Sequence, residues 1–405
     1  MTAAILRDVF VPGVLFGANA PAGPMEDGCL HGDLIFQDGR VVALRPGPKQ
    51  APRLVLPALV EAHCHLDKCH TIHRMTGVGG DLQDAIAAQM DDKRHWTADD
   101  LRARIGRGLD EARDAGCALL RSHVDWREGD TTPLAWSIMG EAAADRPDIR
   151  VDRAALTAID VLAETDNAAK IARQIAQTGG TLGAFVLDHA DRETGVRAVI
   201  AAAERFGLAL DFHVDEGLDT DLDGLDLIAD LILETGFQGP VLCGHCCSLV
   251  NVDGDPLARL LDKIARAGLF VTALPTTNLY LQGRRSGTPD RRGLTRLREL
   301  SDAGVPIVIA SDNVADAFCP TGQHDPMAAL NLAVLAGHLD PPFARWIPAV
   351  TTDAARALGH QPPYVMGAKA TELRISTAGT LPDLISGRQS KLGPLPLDFA
   401  ETGRA

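Results

Sequence analysis

Two histidines one residue apart, His63 and His65 in Leu56-Pro-Ala-Leu-Val-Glu-Ala-His-Cys-His-Leu-Asp-Lys68, are the first residues whose spacing suggests chemistry. In an extended strand, side chains two apart share a face, so both imidazoles point the same way. Two convergent imidazoles are what a divalent metal takes as its first ligands. A lone pair of this kind also suits two surface histidines, and residues roughly 150 to 250 positions downstream decide between the readings. His213, His245 and Asp312 each end a short apolar run. Several imidazoles with one carboxylate suit Zn²⁺ or Fe²⁺, whereas a Mg²⁺ site would be built from carboxylates. One divalent ion is therefore expected. Glu216 lies three residues beyond His213, where it can reach the same mouth without binding metal. A carboxylate beside metal-bound water is a proton shuttle; its bland alternative is an exposed loop glutamate.

These residues need elements that bring them to one place. Leu54 to Val60 reads as a buried strand. Further apolar runs follow at Cys117–Val124, Arg150–Thr157, Leu182–Leu187, Leu208–His213, Val241–His245, Leu269–Leu274 and Ile307–Ser311. Helical stretches alternate with them. One is announced by Thr97-Ala-Asp-Asp100 as an N-cap, and others are stopped by Gly179, Gly207, Gly268 and Gly304. Sustained alternation of strand and helix argues for parallel strands with helical crossovers. Eight units fit an α/β fold of the (β/α)₈ barrel type, in which every strand's C-terminal end faces one mouth. An open doubly wound sheet would want G-x-G-x-x-G at its first turn, and none is present. The expected division is 1–53 as the first part of a small β-sandwich domain, 54–360 as the barrel, and 361–405 as the returning part of the small domain.

Composition narrows the function. The chain has 405 residues, 46% hydrophobic, with a formal net charge of −15. That size provides a large core, and the acidic balance without a basic block argues against nucleic acid as partner. No apolar run reaches the length of a membrane span and the N-terminus does not resemble a signal peptide, so a cytoplasmic location is expected. The eight scattered cysteines read as reduced core thiols. His123, Asp125 and His189 also follow strands and suit either the pocket wall or a surface turn. Lys68 falls near the rim rather than at the fourth strand's end, where a lysine bridging two metals would stand.

Five segments carry a resemblance. They are PALVEAHCHLDK (57–68), DFHVDEGLD (211–219), CGHCCSL (243–249), NLYLQGRRSGTPDRRGLTRLREL (278–300) and ASDNVADAFCPTGQHDPM (310–327). Together they resemble the cytosine deaminase group of the amidohydrolase superfamily. The resemblance implies a mononuclear centre held by His63, His65, His213 and Asp312. His245 would hold the attacking hydroxide or act as a further ligand. Glu216 would move a proton to a ring nitrogen, with Asp312 taking the water's proton. Gln282 would lie near the pocket.

The implied function is metal-dependent hydrolytic deamination of a cytosine-like amino-heterocycle, with ammonia released. An amidohydrolase acting on another N-substituted heterocycle, such as an N-isopropylammelide-like s-triazine, or on a cyclic amide, is the alternative. A non-catalytic binding barrel is the remote one, and intact Glu216 and Asp312 argue against it. Partners would be a small molecule and, as a homo-oligomer, further copies of the chain. Two positions depart from cytosine deaminase: Asn313 replaces a second aspartate, and Asp160 stands where the group has a glutamine. An ionised Asp160 can only accept hydrogen bonds, whereas an asparagine adds a donor. If both line the pocket, the ring should have its donors and acceptors partly reversed relative to cytosine.

Overall fold

The apolar run at Leu54 to Val60 holds two strands, and they belong to different sheets. The structure, a computed structural model, describes residues 3–127, 131–285, 287–387 and 392–396. Its first part forms β1 (Ala3–Pro12), β2 (Met25–Glu26), β3 (Cys29–Gln37), β4 (Arg40–Arg45) and β5 (Arg53–Pro57). The chain then breaks at Ala58 and begins the barrel with β6 (Leu59–Cys64). Apolarity alone cannot separate the two strands, because both are buried from Leu54 onward.

The other barrel strands are β7 (Cys117–Asp125), β8 (Arg150–Ala158), β9 (Leu182–Val186), β10 (Leu210–Val214), β11 (Val241–His245), β12 (Phe270–Ala273) and β13 (Ile307–Ile309). They pair in chain order in one eight-stranded sheet. Every pair in it is parallel, as crossover helices require. Closure comes from a parallel bridge between Cys64 and Asp312, with the Asp312 amide donating to the His63 carbonyl at 2.9 Å. The tail strands β14 (Leu373–Ser376) and β15 (Gly393–Pro394) return to the first sheet, where β14 pairs antiparallel with β5. The terminal segments thus build one seven-stranded sheet, antiparallel except where β1 meets β5.

The helices are α1 (Leu82–Asp92), α2 (Ala98–Asp114), α3 (Leu134–Ala144), α4 (Ile159–Ala163), α5 (Thr165–Thr178), α6 (Arg192–Phe206), α7 (Gly224–Thr235), α8 (Gly254–Arg266), α9 (Pro275–Leu281), α10 (Leu297–Asp302), α11 (Pro326–Gly337), α12 (Thr352–Ala357) and α13 (Leu381–Ile385). Four were not expected: α1, α4, α9 and α13. The first, α1, has a capping box in which Asp81 accepts from the amides of Gln83 and Asp84. The second, α4, continues directly from β8. Among the described residues no helix is long and apolar enough to cross a membrane. All eight cysteines are buried, and none forms a disulfide.

The barrel interior is layered. At its base Val60, Ala62, Leu119, Leu242 and Val308 form one cluster with Ala354, Ala355 and Leu358. Strands from opposite sides contribute, so the cluster fills the barrel. Above it Arg121 and Asp211 are buried as a pair, with Arg121 Nη1 donating to Asp211 Oδ2 at 3.0 Å and Nη2 donating to the Leu358 carbonyl at 3.2 Å. Asp211 Oδ1 lies 3.0 Å from His123 Nε2, which begins the imidazole layer. Removing one partner of a buried pair leaves an uncompensated charge. Arg121→Met should therefore destabilise the chain by about 3–5 kcal/mol, measured as a lower urea midpoint. A loss under about 1 kcal/mol would show that Asp211 is satisfied without the guanidinium.

Candidate active site

At the C-terminal mouth, four groups from three widely separated stretches of chain converge. His213 Nε2 lies 3.2 Å from His65 Nε2. Asp312 Oδ1 lies 3.3 Å from His65 Nε2 and 3.5 Å from His63 Nε2. All four side chains are buried. Local irregularity aims them. The β6–β7 register slips between Glu61 and Cys64, the kind of ladder fault that redirects side chains at barrel rims. Asp312 has φ of 62° and His245 φ of 69°, left-handed backbone that a non-glycine residue adopts only where the surroundings enforce it.

The donor set fits a divalent cation. Burial, helped by the charges of His123, Lys68 and His63 respectively, holds His63, His65 and His213 well below the ordinary imidazole range. The rings are therefore neutral and offer lone pairs. Both ring nitrogens of His63 and both oxygens of Asp312 lack a hydrogen-bond partner. Ligands about 2.0–2.1 Å from a tetrahedral ion stand roughly 3.3 Å apart, close to the spacings found here. His123 joins this layer, its ring centroid 4.1 Å from that of His63, and its Nε2 is turned to Asp211. It buttresses the cluster from below.

His245 stands beside the four, with a ring nitrogen within 4.8 Å of ligand atoms of His63 and Asp312. The Asn278 side-chain nitrogen lies 3.1 Å from His245 Nδ1. With that N–H donating, Nε2 carries the ring proton toward the centre. Burial lowers the pKa of this ring to about 4, so it is neutral. Glu216 Oε1 is 3.5 Å from the same Nδ1. Burial and the nearby Asp312 carboxylate push the Glu216 carboxyl well above its usual range, which leaves it protonated and able to donate. Its position follows from Asp215, whose φ of 51° turns the chain at the end of β10. Asp215 is locked there because its carboxylate accepts from the Gly224 and Leu225 amides at the start of α7.

The pocket over these groups has a volume of about 450 Å³, within the range of small-molecule sites. Its walls include Trp126, Leu156, Val161, Phe185 and Phe318, and Leu82, Ile86 and Met90 come from α1. A larger cavity of about 720 Å³ lies at the other end, among the starts of β9, β10 and β11, away from the imidazoles. The chemistry-bearing pocket is therefore the mouth.

The remaining expected residues fall differently. Asn313 lines the pocket, but its Nδ2 donates to the buried Asp316 at 2.6 Å, so its side-chain oxygen is the freer end. Gln282 lies near the pocket, lining an adjoining cavity that shares Leu82, Ile86, Phe185 and Glu216 with it; it donates to the Glu216 carbonyl at 3.2 Å and so steadies the shuttle's backbone. Asp160 does not line the pocket, since α4 turns it outward to an exposed position while Leu156, Ala158 and Val161 face in. The expected reversal of donors and acceptors thus loses its geometric basis. Sequence reasoning missed Asn278, Asp316 and the roof helix α1. The roof was signalled by Asp81 as a cap, followed by Leu82, Ile86 and Met90 at helical spacing.

Comparison with known proteins agrees with this architecture. A family description, the amidohydrolase family, matches residues 80–362, well over half of the chain. A pterin deaminase of Rhizobium rhizogenes strain K84 is 34% identical over 365 residues, covering 85% of this chain and 83% of that protein. The structure of 5-methylcytosine deaminase from Klebsiella pneumoniae with 5-fluorocytosine superposes with a TM-score of 0.77 at 25% identity, covering 89% of this chain and 91% of that one. N-isopropylammelide isopropylaminohydrolase from Burkholderia multivorans shares the fold, with a TM-score of 0.73 at 22% identity over 97% of each chain. The chain belongs to the amidohydrolase family and is a hydrolase acting on C–N bonds.

Proposed function

We propose that the chain is a metal-dependent hydrolytic deaminase of a small amino-heterocycle, with a bicyclic pterin-type ring favoured over a single pyrimidine. The observation that carries the reaction type is the largely buried Glu216 carboxyl on the pocket wall, 3.5 Å from His245 and beside the imidazole–carboxylate cluster. The ring preference rests on the pterin deaminase relative and on a pocket of about 450 Å³ with apolar walls. A lone pyrimidine would leave much of that space to water.

In this reading His63, His65, His213 and Asp312 hold one Zn²⁺ or Fe²⁺. Such an ion, when bound, acidifies water and polarises it toward attack. Water adds to the ring carbon that bears the amine. Asp312 accepts the proton released from that water. Glu216 protonates the adjacent ring nitrogen, which takes up the electron pair displaced from the C=N bond. His245 Nε2–H donates to the added oxygen as charge develops there. Asn313, held through Nδ2 by Asp316, offers its oxygen to the amine N–H. The C–N bond then breaks: Asp312 passes its proton to the leaving amine, which departs as ammonia with the bond's electron pair, the added hydroxyl returns a proton to Glu216, and a ring carbonyl remains. A second reading keeps the same centre but expels an alkylamine from an s-triazine; Asn313 after Asp312 and the N-isopropylammelide hydrolase likeness favour it.

Three outcomes test this. Glu216→Gln should retain metal and fold yet lose about 10²–10⁴-fold in kcat, because the amide keeps the shape but cannot transfer the proton. Turnover within about threefold of wild type would remove Glu216 from the mechanism. His63→Ala should lower the metal content of purified protein by one equivalent and abolish activity together, with an unchanged circular dichroism spectrum. Pterin should exceed cytosine in kcat/KM by about tenfold or more, assayed by ammonia release. Cytosine preferred, or an alkylamine released faster than ammonia, would replace this ring assignment with one of the alternatives.

A further inference from the structure

A second cluster of metal-type groups lies outside the mouth. Cys69 and His70 follow His65 on the loop after β6, and His324 lies on the loop between β13 and α11. One ligand atom from each of the three lies within 4.8 Å of the others. Cys69 and His324 are fully buried and His70 is nearly so. Glu111 of α2 flanks the group on the His70 side, with Oε2 at 3.3 Å from His70 Nε2. The distance is short, yet the two atoms are not aligned for a hydrogen bond. Both ring nitrogens of His324 also lack any partner.

That pattern has a cost. A buried polar group without a partner loses about 1–3 kcal/mol of solvation, and both ring nitrogens of the buried His324 are such groups. The packing is built to allow it, since α2 carries Gly108 where a side chain would meet the His324 ring at 3.0 Å. Arg104 Nη1 donates to the carbonyls of Asp67 and Cys69 and holds the loop against α2. Burial lowers the His324 ring to about 4, so its lone pair is available.

We infer that Cys69, His70 and His324 hold a second divalent ion of the zinc class, with Glu111 beside His70 at its edge, in a structural site separate from the catalytic centre. One thiolate and two imidazoles supply three ligands, and the Glu111 carboxylate next to His70 is the nearby group that can complete the four zinc takes in closed sites. On binding, the Cys69 thiol gives its proton to solvent and the sulfur donates its pair to the ion. The site staples three segments: the loop that carries His65, helix α2, and the loop that follows Asp312 and Asn313. It thereby fixes two of the strand ends that build the mouth.

The proposal has a readout independent of activity, because the catalytic set contains no sulfur. Zinc-saturated full-length protein should hold two ions per chain, and X-ray absorption should show a zinc–sulfur shell at about 2.3 Å. Cobalt-loaded protein should show a thiolate-to-cobalt charge-transfer band in the near ultraviolet. Cys69→Ser should abolish that band and remove one ion, with the catalytic ion kept, whereas Cys29→Ser should leave both unchanged. One ion per chain, or two ions without a sulfur shell, would overturn the assignment. The wild-type absorption measurement decides the matter even if the Cys69 variant fails to fold.

Discussion

The barrel closes through the residues that do its chemistry. The hydrogen bond from the Asp312 amide to the His63 carbonyl joins the last strand end to the first, and Cys64 bridges to Asp312 beside it. Backbone closure and convergence of donor groups are therefore one event. His63 and Asp312 cannot separate without opening the sheet, so the fold's own cooperativity holds the spacing a metal requires. The left-handed backbone at Asp312 and His245 is the local strain this arrangement carries.

Below that seam the interior is polar in a graded way. An apolar base supports the Arg121–Asp211 pair, and Asp211 in turn faces His123, whose ring packs on His63. Each layer supports the one above it and leaves both His63 ring nitrogens and both Asp312 oxygens without hydrogen-bond partners. Burial keeps those rings neutral, which preserves their lone pairs. The same burial acts with opposite effect on Glu216, which it keeps protonated. One physical cause thus prepares ligands at one point and an acid a few ångströms away.

The roof sets what can enter. Helix α1 brings Leu82, Ile86 and Met90 over the mouth, and Lys68 and Lys93 share the Asp125 carboxylate at its edge. Burial and the charge of Lys68 bring the Lys93 pKa down to about 7. The pocket is therefore apolar on its walls and polar at its floor and rim, a form suited to a flat ring presented edge-on to the cluster.

Much of this was legible in the amino-acid order. Period-two and period-3.6 patterns named the alternating strands and helices, and strand C-termini named His63, His65, His213, His245, Asp312 and the neighbouring Glu216, because parallel strands put those ends on one face. Two features were not legible. Leu54 to Val60 is uniformly apolar, so its division between β5 and β6 depends on which sheet each half pairs with. Asp160 was matched to a pocket position by alignment, but whether a residue past a strand end faces in or out depends on the rotation of the next turn, and α4 rotates it outward. Asn278 behind His245, Asp316 behind Asn313 and Glu111 behind His70 lie tens of residues away or in unremarkable company, and no local pattern marks them. Residue type and strand order, which follow from local backbone sterics and hydrophobic period, were determined by the sequence itself. Which polar atoms are satisfied, and which are left facing one another in a dry interior, was decided only when the tertiary structure brought distant segments to hydrogen-bonding distance.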